Sequence, residues 1–265
     1  MILIWSNSAG VTDSALTNHG VLQATRLASY LATKFRFTHI FSSDLQRAFK
    51  TATAVQNARQ REYSELVEVY QLKILQEQDF GSFERMTFAA RAKSIGDNVE
   101  PIKQPETKEA LASRAELFLN DYLLPLLFSE STGEINQVAI VSHGLLLSAL
   151  WRCLLRRFNA SHVDLARGVE VPTRDMSSLE HIGSWSNTGY LELSIDLMTS
   201  ESISKSSSLP DEDSNILEGY KMTILGINTK AHLQGLKRTG GGVGSSKHDE
   251  KQKSIESFFT RPRNA

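Results

Sequence analysis

His143 and Gly144 close the uncharged run VAIVSHG, and the helix-forming stretch LLLSALWRCLL begins immediately after them. Arg47 stands in DLQRAFKTA, one turn into a helix that follows the apolar run HIFSS, and Glu77 stands in QEQDFGSFE, four residues before Gly81 and just past LKIL. Each of these residues, taken alone, has an ordinary explanation. A histidine after a strand is commonly a structural hydrogen-bonder, an arginine in a first helical turn a solvated charge, and a loop glutamate merely a loop carboxylate. Together they share one placement, at the junction where a strand ends and a helix starts. Helix N-termini there direct free N–H groups and a positive dipole end outward, which is where α/β sheets hold anionic ligands. Glycine at position 144 permits close backbone approach. The chemistry this set suits is the handling of an oxyanion.

The elements that must hold these residues alternate along the chain. MILIW reads as a strand, and Thr17 as the cap of a helix whose Val21, Ala24, Leu27, Ala28 and Leu31 fall on one face. FTHIFSS (37–43) is a short strand, Asp44 to about Gln60 an alanine-rich helix, VEVYQLKIL (67–75) a third strand, and Lys108 to Phe128 a long amphipathic helix. QVAIVSHG (137–144) is a β-branched strand, and the helix after it ends in basic residues that suit its dipole. TGYLELSI and YKMTILGI are late strands. This alternation predicts an α/β fold: a three-layer sandwich with a mostly parallel sheet and helices on both faces. Residues 1–236 form the predicted domain. Within it, 199–215 are serine- and acid-rich without periodicity and read as a mobile loop; 237–265 read as a disordered basic tail.

LTNHGVLQATRLASYL, IFSSDLQRAFKTA, LQEQDFGSFE and VAIVSHGLLL, in that order, resemble the successive landmarks of the histidine phosphatase superfamily, the phosphoglycerate mutase-like proteins. That pattern runs L-T-x-x-G-x-x-Q-A, S-S-D-L-x-R-A-x-x-T-A, E-x-x-x-G and S-H-G. SNTGYLEL and INTKAHL also look familial, so the resemblance spans roughly residues 1–236. It implies a phosphoglycerate mutase-like fold and phosphomonoester hydrolysis through a phosphohistidine, which splits one displacement into two. It further implies Arg47 as a phosphate clamp, His143 as the second histidine of the pocket, Glu77 as the proton donor, and Gly144 as the source of a backbone N–H at the helix start. Arg114, in SRAELFL, lies where the family often has an arginine. No metal and no cofactor is implied.

The family's nucleophile sits in an R-H-G motif directly after the first strand. Here Ser6, Asn7 and Ser8 follow the strand, neither arginine nor histidine is present, and the connection to L-T-x-x-G is shorter by roughly ten residues, against a common loop length of about 4–6. His19 in NHG does not substitute, because it falls in the first turn of the Thr17-capped helix; a serine nucleophile lacks an adjacent base. Two accounts fit this chain: a gene model or splice form of a phosphatase without its catalytic loop, or a pseudoenzyme. Either predicts a polypeptide with little or no phosphatase activity. The segments 82–108 and 159–184, where specificity would lie, carry no recognisable substrate fingerprint, so a small phosphomonoester and a phosphoprotein both stand as substrates.

Composition narrows the partners. Twenty-nine basic residues against 30 acidic ones give a net charge of −1, which leaves no global footprint for direct nucleic-acid binding. The single cysteine, Cys153, lies in an apolar helical stretch, which excludes an intrachain disulfide and suits a reducing compartment. No signal peptide or membrane span is legible, so cytoplasm and nucleus are the expected locations.

The tail ends KQKSIESFFTRPRNA, placing two adjacent phenylalanines in a polar, basic segment. Gln252, Ile255, Phe258 and Phe259 (motif 252–259) resemble the peptide by which replication and repair proteins hold the proliferating cell nuclear antigen (PCNA) sliding clamp. There a single tight turn gathers the aliphatic and aromatic side chains for a hydrophobic pocket, and Lys251, Lys253, Arg261 and Arg263 would suit an acidic surface. A chance match, or a terminal helix docked on its own domain, also accounts for the pattern. TGGGVGSSK in the same tail lacks the glycine–lysine order and preceding strand of a phosphate loop and reads as a linker.

Overall fold

The computed structural model describes residues 1–6, 10–86, 90, 103–128, 135–171, 176–182, 185–198, 217, 219–237 and 245–247. The chain begins with β1 (Ile2–Ser6), then α1 (Asn18–Ala32), whose cap is Thr17: its side chain accepts from the Gly20 N–H at 3.1 Å. β2 (His39–Ser42) leads to α2 (Gln46–Tyr63), and β3 spans Val69–Gln71. The helix expected over 108–128 is α3 (Lys108–Phe118), one π turn at Leu119–Leu123, and α4 (Leu124–Phe128). β4 (Val138–His143) runs without a break into α5 (Gly144–Leu155). β5 (Val163–Leu165), α6 (Met176–Glu180), β6 (Tyr190–Leu197) and β7 (Tyr220–Thr229) complete the elements.

Among the described residues seven strands form one sheet in the order β3-β2-β4-β1-β6-β7-β5. Every neighbouring pair is parallel except those made by β6, which runs against both β1 and β7. The period-two alternation of β-strands sorts the core into two layers. Ile2, Ile4, Ile40, Ala139 and Val141 pack with Leu27, Leu31, Ala48 and Val55 of α1 and α2. Leu3, Phe41, Val138 and Ile140 pack instead with Leu111, Phe118, Leu147 and Leu150 of α3 and α5. The sheet is therefore mostly parallel with helices on both faces, as predicted.

One expected strand is corrected. VEVYQLKIL stays in the sheet only from Val69 to Gln71, and Lys73–Leu75 form a 3-10 turn. The turn buries Leu75 and presents its carbonyl to the Ser142 hydroxyl at 2.7 Å, so the chain leaves the sheet edge and passes β2 to reach β4. Of the tail, Ser246 and Lys247 lie against the start of α1: the Asn18 N–H donates to the Ser246 carbonyl at 3.1 Å, and Lys247 pairs with Thr17. The segment 199–215 and the motif 252–259 lie outside the described residues.

Candidate functional site

The carboxyl ends of β1, β2 and β4 meet at one edge. β4 ends on His143, which is fully buried, and its Nε2 shares a hydrogen bond of 3.0 Å with the hydroxyl of Ser43, the residue after β2. The register pairs Ser6, the last residue of β1, with His143, so β1 and β4 end side by side. Glu77 is likewise fully buried, and its carboxylate accepts from the N–H groups of Leu145 (3.3 Å) and Leu146 (3.2 Å). α5 has no acidic residue in its own first turn. Glu77 supplies the anion there from another part of the chain, matching the positive end of the helix dipole.

Arg114 holds the backbone that carries Glu77. Its guanidinium donates to the carbonyls of Ile74 (2.8 Å), Gln76 (2.9 Å) and Glu77 (3.1 Å), and its other N–H groups fork onto Glu106 at 2.7 and 2.8 Å. Glu106 in turn accepts from the Asp79 N–H at 3.2 Å. A planar guanidinium suits this multiple docking, which a lysine could not reproduce.

The opposite wall is the turn before α1. Arg47, 1% exposed, donates to the carbonyls of Gly10 (2.7 Å) and Thr12 (2.9 Å). Burial lowers its pKa, against the pull of the Glu77, Asp13 and Glu84 carboxylates. Asp13 accepts from the Gln46 N–H at 2.8 Å and the Gln46 amide at 2.9 Å, which caps α2, where Leu45 at the cap position offers no side-chain acceptor. Glu84 accepts from the N–H groups of Val11 (3.2 Å), Thr12 (3.1 Å) and Phe80 (2.9 Å) and from the Thr12 hydroxyl (2.6 Å). Gly10 has φ +60°, and a Cβ there would lie 2.0 Å from a Glu84 carboxylate oxygen. A side chain there would be strained by the left-handed backbone and would displace the Glu84 carboxylate.

A cavity of about 40 Å³ adjoins Arg47, between Ser14, Thr17 and Gly20 on one side and Thr51, Asn187 and Thr188 on the other. Thr188 is left-handed at φ +57°, an unusual conformation for a β-branched residue, and its hydroxyl donates to the Asn187 carbonyl at 2.7 Å. That hydroxyl also meets Nε2 of buried His232 at 3.0 Å. Burial lowers the His232 pKa to about 4, so the ring is neutral at pH 7. A larger surface cleft of about 500 Å³ lies on the other side of the turn, lined by Val11, Lys73, Gln76, Asp79, Glu106 and Arg114.

Arg47, Glu77, His143 and Gly144, separated by up to 97 positions in sequence, thus stand around one edge of the sheet, with Arg114 clasping the Glu77 loop. His19 falls in the first turn of α1. Cys153 is buried, its thiol pushed up to about 12 chiefly by burial, which makes it a packing residue rather than a nucleophile. Positions 7–9, where the family's motif would continue, lie outside the described residues, as do Gln252, Ile255, Phe258 and Phe259. Ser43, Asp13 and Glu84 escaped the sequence reading. Ser43 lies inside the IFSSDLQRAFKTA motif; Glu84 bonds mainly to backbone amides and Asp13 to the backbone and side-chain amides of Gln46, roles that leave no periodic signal. Among the described residues no three His, Cys, Asp or Glu side chains converge as a metal ion requires, and no helix is long and apolar enough to cross a membrane.

A family model described as histidine phosphatase superfamily (branch 1) matches residues 5–183, and the chain belongs to that superfamily. It is 33% identical over 127 residues to fructose-2,6-bisphosphatase TIGAR of Xenopus tropicalis, a match covering 46% of this chain and 45% of that protein. The Xenopus laevis protein of the same name is 33% identical over 125 residues, covering 45% and 44%. The chain thus spans under half the length of these curated relatives. Among solved structures, the fold matches mycobacterial hydrolase 1 (TM-score 0.60, 19% identity, 87% of this chain and 99% of that one). It also matches a mycobacterial glucosyl-3-phosphoglycerate phosphatase in complex with inorganic phosphate (TM-score 0.57, 20% identity, 88% and 98%).

Proposed function

We propose that this chain is a phosphomonoester-binding member of the superfamily whose hydrolytic step is impaired. The observation that carries the reading is the end of β1. The register delivers the chain to His143, yet the residues that follow, Ser6-Asn7-Ser8-Ala9-Gly10, include no histidine or arginine. In the family's chemistry a neutral imidazole at that point attacks phosphorus, arginines and the second histidine hold the phosphoryl oxygens, and a carboxylic acid protonates the leaving alkoxide. Here Arg47, His143 and Glu77 supply the binding and proton-transfer groups. The segment 6–10 offers no histidine or arginine for the covalent step. Losing the nucleophile of such a cooperating set costs on the order of a million-fold, as the subtilisin triad illustrates.

The test is turnover by the purified chain on p-nitrophenyl phosphate and on fructose 2,6-bisphosphate, the latter because the curated relatives are named for it. The expected result is hydrolysis barely above background and no acid-labile phosphoprotein. Turnover near one per second that disappears in His143→Ala would overturn the impairment.

A partner for the tail follows from Gln252, Ile255, Phe258 and Phe259, which we propose bind the PCNA sliding clamp; the chain would then serve as a non-catalytic adaptor, or as a phosphatase tethered at the clamp. What supports it is the pattern itself: two phenylalanines in a segment otherwise polar and basic, at the spacing one tight turn needs. Titrating the full chain onto the clamp should give saturable binding that Phe258→Ala with Phe259→Ala abolishes. Binding unchanged by that pair would refute it.

A further inference from the structure

Two buried hydroxyl–imidazole pairs stand at the site, and counting their hydrogen bonds gives them opposite polarity. A serine or threonine hydroxyl has one proton to donate and two lone pairs that accept. Ser43 and His143 are both fully buried. The Ser43 Oγ accepts from the Leu45 N–H at 3.2 Å, at the cap position of α2, and lies 3.0 Å from Nε2 of His143. Among the described residues the hydroxyl has no other partner. Were Nε2 protonated, both lone pairs would be taken and the hydroxyl proton would be a buried donor without an acceptor. The Ser43 hydroxyl therefore donates to Nε2, and the neutral ring carries its proton on Nδ1. Thr188 and His232 resolve the other way. The Thr188 hydroxyl gives its proton to the Asn187 carbonyl at 2.7 Å, so at 3.0 Å it accepts from Nε2 of His232. His232 then leaves Nδ1 bare, and Nδ1 is the ring atom that has no hydrogen-bond partner among the described residues. A buried acceptor without a partner is tolerated more readily than a buried N–H without one.

We infer that Ser43 is a positioning residue that fixes His143 in the Nδ1–H tautomer, so that any hydrogen bond this ring gives to a phosphoryl oxygen comes from Nδ1, with Nε2 held as an acceptor. Which nitrogen of a histidine is protonated is set by the hydrogen bond at the other one. Ser43 suits that task because two elements hold it. Its own N–H donates to the Val141 carbonyl at 2.9 Å, two residues before His143 on β4, and the Leu45 N–H holds its oxygen from the side of α2. The hydroxyl and the ring are thus tied to the same strand, and the tautomer follows from the fold rather than from a ligand. The tautomer rests on these contacts alone; its use on a phosphoryl oxygen rests on the phosphomonoester reading.

Long-range 1H–15N correlation spectra of the full chain labelled with 15N-histidine, recorded at pH 8, read the ring tautomers directly; His143→Gln and His232→Gln assign the two rings. His143 should show a protonated Nδ1 and a bare Nε2, and His232 the reverse, in one spectrum. Ser43→Ala should abolish the Nδ1–H preference of His143 and leave His232 unchanged. Ser43→Thr, which restores a hydroxyl, should recover the wild-type pattern. A wild-type His143 protonated on Nε2, or a Ser43→Ala ring identical to that of the wild type, overturns the proposal. Should Ser43→Ala not fold, Ser43→Cys takes its place: its thiol is a weak donor that should leave His143 a mixture of tautomers, and a pure Nδ1–H ring there again overturns it. Orthophosphate titrated into the wild type separates the two claims, because it should move the His143 ring signals and neither nitrogen of His232. If the tautomers are as stated but orthophosphate moves neither His143 nitrogen, the role of Ser43 stands and the phosphomonoester reading falls.

Discussion

The two walls of the site are built by opposite strategies. On the β4–α5 side, His143 ends a strand, and Arg114 ties the loop backbone that carries Glu77 to α3 with a fork of hydrogen bonds. On the β1–α1 side, a short turn with no regular structure is held between one cation and one anion, Arg47 and Glu84. The first wall keeps its functional groups through packing and would survive a change in any one contact. The second depends on two charges, and those charges engage the chain itself. A scaffold can therefore hold a buried carboxylate and a buried histidine beside a helix start while the opposite wall turns inward on its own backbone.

Four measurements sharpen or break this contrast. Arg47→Ala removes the cation from a buried set and strands two carbonyls, so urea unfolding should show a loss of about 3–5 kcal/mol, the largest of the series. A smaller loss than in Glu77→Gln would reverse the comparison.

Acid separates the walls next. His232 supports Thr188 at the rim of the Arg47 cavity, and its folded pKa of about 4 lies below the unfolded value near 6.5. Above pH 6.5 both states are neutral and its contribution is fully present. As pH falls through the window, the unfolded chain binds the proton first and stability drops, on the order of 2–3 kcal/mol by pH 4, then levels off. His232→Phe, which keeps a ring between Tyr30 and Tyr190, should flatten that part of the pH profile of the urea midpoint.

Glu77→Gln leaves an acceptor at the α5 N-terminus but removes the charge. A loss of about 1 kcal/mol is expected in the same urea series, and a much larger one would mean this wall too is held by a single charge. The solvent-exposed Lys103, paired with Asp79 at 2.6 Å, is the control: Lys103→Ala should leave the urea midpoint unchanged within experimental error.

What was legible in the sequence follows the same division. The β-branched run of β4 and the Ala24, Leu27, Ala28 and Leu31 face of α1 are periodic, and both are buried as their spacing requires. Arg47, Glu77 and His143 were found because each follows a strand at a spacing that four ordered motifs share. β5 was missed because three half-exposed residues at a sheet edge carry too little pattern. β3 was drawn too long because Ile74 and Leu75 look equally apolar in a strand and in a turn that buries them. Glu84 and Asp13 were missed for a different reason. Apart from the Phe80 N–H, four residues before Glu84, their partners lie tens of residues away, and a carboxylate that bonds to backbone imposes no side-chain type on the other end.

The position of β1 in the sheet has a consequence for the order in which this protein can acquire its structure. Ile2 pairs with Ala139 on one side and with Glu192 on the other. β1 is thus made before both of its neighbours in the sheet. At ordinary elongation rates its two neighbours emerge on the order of 10 s or more after it. During that interval ILIW, an apolar segment with both edges unsatisfied, depends on α1 and α2 for cover. Pausing or truncating synthesis before residue 138 should leave a nascent chain that chaperones hold and that aggregates once released, whereas arrest after residue 198 should not.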